Sequence, residues 1–162
     1  YILNSGIVGS SATGNQNMSG VGVTLTASTI YRFECMYLQY KTAGTTSHTV
    51  SIGFGGTATA NWITWDVHWN GATSYNVADS GAYYTAATQL SPIVVTSART
   101  NANEYQEYQI HGTISVNTGG TLTPQYALSA APGGAYTSVP GSYFLIYPIA
   151  ASGSNVSVGT WA

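Results

Sequence analysis

Between Val21 and Tyr40 the chain alternates. Tyr31, Phe33, Cys35 and Tyr37 share one parity, and Ile30, Arg32, Glu34, Met36 and Leu38 share the other. A two-residue period puts successive side chains on opposite faces, which marks a strand rather than a helix. The stretch reads as a short strand at Val21–Leu25, a turn at Ala27–Thr29 and a long strand from Ile30 to Lys41. Apolar residues occur on both faces. An antiparallel sheet with one wet side alternates more cleanly, so the outer face is expected to be covered by a second sheet, a neighbouring subunit or both.

The same period recurs along the chain. Tyr1 to Val8 reads as a short first strand and Gly9 to Gly20 as a loop. Thr49 to Phe54 is a strand that Gly55 and Gly56 break. In Trp62 to Asn70, Ile63, Trp65, Val67 and Trp69 form a dry face, and Trp62, Thr64, Asp66 and His68 a wetter one. Asn70 to Ala87 reads as a long surface connection, a type of segment that is often functional. Gln89 to Thr96 is a strand in which Pro92 argues for an edge or a bulge. Tyr105 to Val116 is the longest clear strand, with Tyr108, Ile110, Ile114 and Val116 opposite Glu107, Gln109, His111, Thr113 and Ser115. Leu122 to Ala130 alternates again, Ala131 to Gly141 is a loop, and Ser142 to Ile149 is nearly continuous in apolar residues. The glycine pairs Gly55-Gly56, Gly119-Gly120 and Gly133-Gly134 read as hairpin turns. No helical period exceeds two turns. About eight strands with Gly-rich punctuation predict an all-β antiparallel sandwich of jelly-roll type.

At 162 residues the chain suits one domain, 1–162, with 1–20 as an extended arm or a link to a missing stem. Charged residues are only 5%, against roughly a quarter in ordinary soluble proteins. Hydroxyls and amides therefore carry the solvation, and such a neutral surface suits assembly, because burying neutral groups costs less than burying ions. Three Lys and Arg in all cannot build a phosphate-binding patch, so neither nucleic acid nor an anionic membrane is an expected partner. No apolar run is long enough for a transmembrane helix, and no signal peptide is visible. The first residue, Tyr1, points to a processed product or a fragment. The single cysteine, Cys35, cannot form an intrachain disulfide and reads as a small buried hydrophobe.

Candidate chemistry is sparse. Asp66 and His68 share a strand face and, with Glu34 or Glu107, would suit acid/base work. The competing reading is a hydrogen-bonded polar pair at a subunit contact, which the lack of an activated nucleophile favours. His48, His68 and His111 lie on separate segments with no short-range ligand pair, so neither metal nor other cofactor is expected. No nucleotide-binding or hydrolase motif occurs. Trp62, Trp65, Trp69, Tyr83, Tyr84 and Tyr136 are candidates to stack on sugar rings; for Trp65 and Trp69 the core is the better assignment. Tyr83, Tyr84, Tyr136 and Asn76, in loops rich in small polar residues, are the expected ligand-binding set.

Several segments together resemble a domain at the carboxyl end of tailed-bacteriophage virion proteins of marine and cyanobacterial type. They are Gly22 to Glu34, the Gly44 to Ser47 turn, Ile110-His111-Gly112-Thr113-Ile114, Asn117 to Tyr126, Gly141-Ser142-Tyr143-Phe144 and Gly159-Thr160-Trp161-Ala162. The resemblance implies a virion-surface module without catalytic residues: a tail or head fibre head, or a capsid decoration protein. It further implies a homotrimer of jelly-roll subunits similar to tumour-necrosis-factor and C1q-like heads, with other virion proteins and a host-surface glycan or receptor as partners. The alternatives are a capsid cement protein, a secreted carbohydrate-binding module, and a glycan hydrolase drawing two carboxylates from Glu34, Asp66, Asp79, Glu104 and Glu107.

Overall fold

Alternation of this kind builds strands, and the strands fall into two antiparallel sheets. The computed structural model describes residues 1–72, 81–155 and 157, with backbone alone for 81–84. In chain order the strands are β1 (Ile7–Val8), β2 (Gln16–Asn17), β3 (Val23–Leu25), β4 (Thr29–Lys41), β5 (Val50–Gly55) and β6 (Thr59–Ala72). They continue as β7 (Gly81–Ala87), β8 (Ile93–Val94), β9 (Glu104–Thr118), β10 (Gly120–Leu128), β11 (Thr137–Ser138) and β12 (Tyr143–Ala151). Twelve strands exceed the eight expected: β2, β7 and β11 fall in stretches expected as loops, and β2 and β11, of two residues each, are too short to show a period.

The larger sheet runs β1-β11-β4-β9-β6-β7, with β12 also on β4, and the smaller runs β2-β10-β5-β8, with β3 also on β10. Their inner faces form the core of an all-β sandwich. Phe33, Phe54 and Trp65 meet edge to face there, with ring centroids 5.1 Å and 5.4 Å apart. This is a favoured aromatic geometry. The face of Tyr31, Phe33, Cys35 and Tyr37 is buried as expected. On the opposite face of β4, Ile30, Glu34, Met36, Leu38 and Tyr40 are half-buried and Arg32 is exposed.

Three assignments change. Asn70 to Ala87 is not one loop: β6 runs on to Ala72, and Gly81–Ala87 returns along it as β7. Its Tyr-Tyr-Thr centre has the residues a pleated surface favours. Gln89 to Thr96 keeps only Ile93–Val94 as strand, directly after Pro92. The glycine pairs are not hairpin turns. Gly55-Gly56 and Gly119-Gly120 sit where the chain passes between sheets, β5 to β6 and β9 to β10, and Gly133-Gly134 lies in the connection from β10 to β11. The first two crossings lean on each other, since Thr57 and Ala58 both donate backbone N–H to the Thr121 carbonyl at 3.0 Å. Gly56 has φ +117°, a conformation that L side chains rarely adopt.

Candidate functional site

The inward parity of β4 does not stop at its aromatics. It continues to Gln39 and Lys41, and the inward parity of β9 begins with Glu104 and Gln106. Register sets Lys41 opposite Glu104, Gln39 opposite Gln106, and Tyr37 opposite Tyr108. One pole of the core is therefore polar. The Lys41 and Glu104 side chains are fully buried, with Nζ 3.2 Å from Oε1. Lys41 also donates to the carbonyls of Gly44, at 3.0 Å, and Asn101. Arg99 brings Nε to 3.5 Å from the other Glu104 oxygen and lays its guanidinium 5.3 Å from the Trp69 ring.

The neutral groups point the same way. Gln39 donates to the Tyr108 hydroxyl at 3.0 Å, and Tyr108 donates to Gln106 Oε1. Gln106 donates to Glu104 Oε2 at 3.0 Å and to the Tyr136 hydroxyl at 2.8 Å. Tyr136 in turn donates to Glu104 Oε2 at 2.6 Å. The imidazole of His48 links Tyr136 to the Thr46 carbonyl, 2.8 Å on each side. Burial pushes the hydroxyls of Tyr108 and Tyr136 well above the usual phenol range, and the Glu104 carboxylate pushes Tyr136 further. Both stay neutral donors. A charge without water needs partners and hydrogen bonds together, and Glu104 has both. The cluster clasps the segments around Gly44, His48, Arg99 and Tyr136 to the ends of β4 and β9.

The remaining charge lies elsewhere. Among the described residues, every surface charged side chain stands on the outer face of the larger sheet: Arg32 and Glu34 on β4, Asp66 on β6 and Glu107 on β9. His68 and His111 share that face. Register runs Glu34–His111–Asp66 across β4, β9 and β6. Asp66 lies 3.6 Å from His111, and Arg32 lies 3.4 Å from Glu34. An open groove crosses these strands between Arg32, Thr64, Asp66, Ala86, His111 and Thr113. Near its Thr64 end stands Trp62, 46% exposed on the same parity.

Exposed apolar groups gather at the β12 margin of the same sheet, where Leu145 stands opposite Glu34 and Tyr147 opposite Arg32. Of ten large ones among the described residues, seven line β12 and the segments beside it: Tyr1, Ile2, Val21, Tyr143, Leu145, Tyr147 and Ile149. An apolar cleft continues there between Tyr1, Val21, Val23 and Leu145. Beyond Phe144, no described residue pairs with the outer edge of β12.

The expected ligand-binding set does not converge. Tyr136 is 1% exposed and holds Glu104, so it is no stacking platform. Its hydroxyl satisfied a buried carboxylate that loop composition did not reveal. Tyr83 and Tyr84 sit on β7, opposite Trp69 and His68, instead of in a loop; their side chains lie outside the described residues, as does Asn76. Asp66 faces His111 across the sheet rather than His68 along its own strand. The three histidines do not gather, His48 being buried at the pole. The buried cluster was missed, though its signal was present: the period of β4, carried two steps past Tyr37, reaches Lys41.

The fold is thus an all-β antiparallel sandwich. No family model, curated protein or solved structure matches the chain.

Proposed function

We propose that the chain is a non-enzymatic structural module of a virion, a homotrimeric fibre or appendage head that presents its loops and outer sheet for attachment to a host surface. The observation that carries this reading is the grading of the larger sheet's outer face: an apolar margin along β12, and the described surface charge beside it on β4, β9 and β6. Contiguous exposed apolar groups mark contact surfaces, and interface cores are poor in charge. The β12 margin is then where copies meet, and the part of the face on β9 and β6 looks outward. Pro148 and the register shift after it blunt the free edge of β12. The contact is accordingly one of side chains and not of added strands. Many copies on one particle give avidity without tight single sites.

Competition tests it. The purified assembly, added in excess, blocks adsorption of the particle that carries this chain. The variant Leu145→Asp, folded but monomeric, blocks far less. Adsorption untouched by the native assembly contradicts attachment and favours the capsid-decoration reading, in which particles stripped of the chain lose resistance to heat.

A further inference from the structure

We propose that the open groove on the outer face of the larger sheet binds a neutral saccharide, with Trp62 as the stacking platform. The proposal rests on the attachment reading above and names the ligand class and the site.

A sugar ring presents two chemistries at once. Its C–H face wants an aromatic plane, and its rim of hydroxyls, each donor and acceptor, wants fixed partners of both kinds. The groove supplies the polar partners, and Trp62, two residues from Thr64 on the same parity of β6, supplies the plane beside it. Trp65 and Trp69 are buried, whereas Trp62 stands 46% exposed on the outer parity of β6. Next along that parity come Thr64 and Asp66, while Thr113 and His111 oppose those two residues on β9. Arg32 lies beyond Thr113 on β4. Asp66 accepts, Arg32 donates, and the threonine hydroxyls do either. Asp66, His111, Thr113 and Arg32 stand on stretches of β6, β9 and β4 paired on both sides, so these four are held rigidly.

The charge pattern selects a neutral ligand. Arg32 is engaged by Glu34 and His111 by Asp66, at 3.4 Å and 3.6 Å. An acidic sugar would bring a further carboxylate beside two already there. A polyol meets polar pairs able to take extra hydrogen bonds without giving each other up. It also fits a chain with 5% charged residues whose described surface charges share one face.

The probe is an array of neutral hexose and N-acetylhexosamine oligosaccharides printed beside sialylated and uronic-acid ones. Calorimetry then uses the best neutral binder. Neutral oligosaccharides are retained, and Trp62→Ala and Ala86→Arg, the second filling the groove, each weaken binding by about ten-fold or more. Both variants keep the native assembly mass. Retention of acidic glycans only, of no glycan, or undiminished binding by both variants overturns the site. A native protein that proves monomeric yet binds neutral sugar through Trp62 supports the groove and overturns the trimer, so the two failures are distinguishable.

Discussion

Glu104 is a carboxylate with no water around it. Two cations and two neutral donors converge on one carboxylate with no exposed surface. Removing one partner of a buried pair leaves the other uncompensated, typically at about 3–5 kcal/mol. Glu104→Gln is expected to lose about that much in urea unfolding, with β structure retained in buffer; a loss below about 1 kcal/mol contradicts the clasp. The buried phenols give a second test. Burial raises Tyr37, Tyr108 and Tyr136 above the phenol range, and Tyr126 and Cys35 to about 12. These groups are neutral in the fold and ionise in the unfolded chain near 10.0 for tyrosine and 9.0 for cysteine. Their folded values are raised, so stability is full below about pH 9 and falls as pH rises through 10 and beyond. The slope is about 1.4 kcal/mol per pH unit for each group between its two values. Urea midpoints from pH 8 to 11 measure it, and a flat profile contradicts the burial. Little of this was legible beforehand. Tyr136 sits in a Gly- and Pro-containing stretch whose composition says loop, and only the tertiary position of Glu104 turns it inward.

At the scale of elements, the long strands were legible because each carries several repeats of one period. The faces of β4, β6 and β9 follow parity almost throughout. What failed were the joints. Two-residue strands have no period, and β7 was hidden because polar Asn and Ser residues precede it. The turn glycines were recognised as breaks, but a hairpin and a crossing between sheets use the same residue. Gly112 shows what a strand glycine does here. It faces Phe33 on one neighbour and Trp65 on the other, and an added Cβ would lie 2.5 Å and 2.6 Å from their atoms. Its bare backbone is the space into which the two rings pack. Gly112→Ala is expected to cost about 1–3 kcal/mol by overpacking, read from thermal or urea unfolding. A neutral result would mean that the aromatic cluster has room to shift.

Across the whole molecule the scarcity of charge becomes a distribution. Two of the three Lys and Arg residues are spent inside, on Glu104, and the third joins the described surface carboxylates on one broad face. The described residues of β12 itself carry none, although Glu34 and Arg32 stand opposite Leu145 and Tyr147 on β4. Composition announced a neutral surface suited to assembly, but it could not say which side, because Tyr143, Leu145 and Tyr147 alternate with the buried Phe144 and half-buried Ile146 in a run that reads as covered on both faces. If that side is the contact, Leu145→Asp places a charge in its centre and separates the subunits without touching the core, since Leu145 is 48% exposed. The most direct measurement is the solution mass of the native protein by light scattering on a sizing column, with Leu145→Asp run beside it. The account predicts three times the 16.9 kDa chain mass for the native protein and one chain for the variant. A native monomer, or a trimer that Leu145→Asp leaves intact, contradicts it.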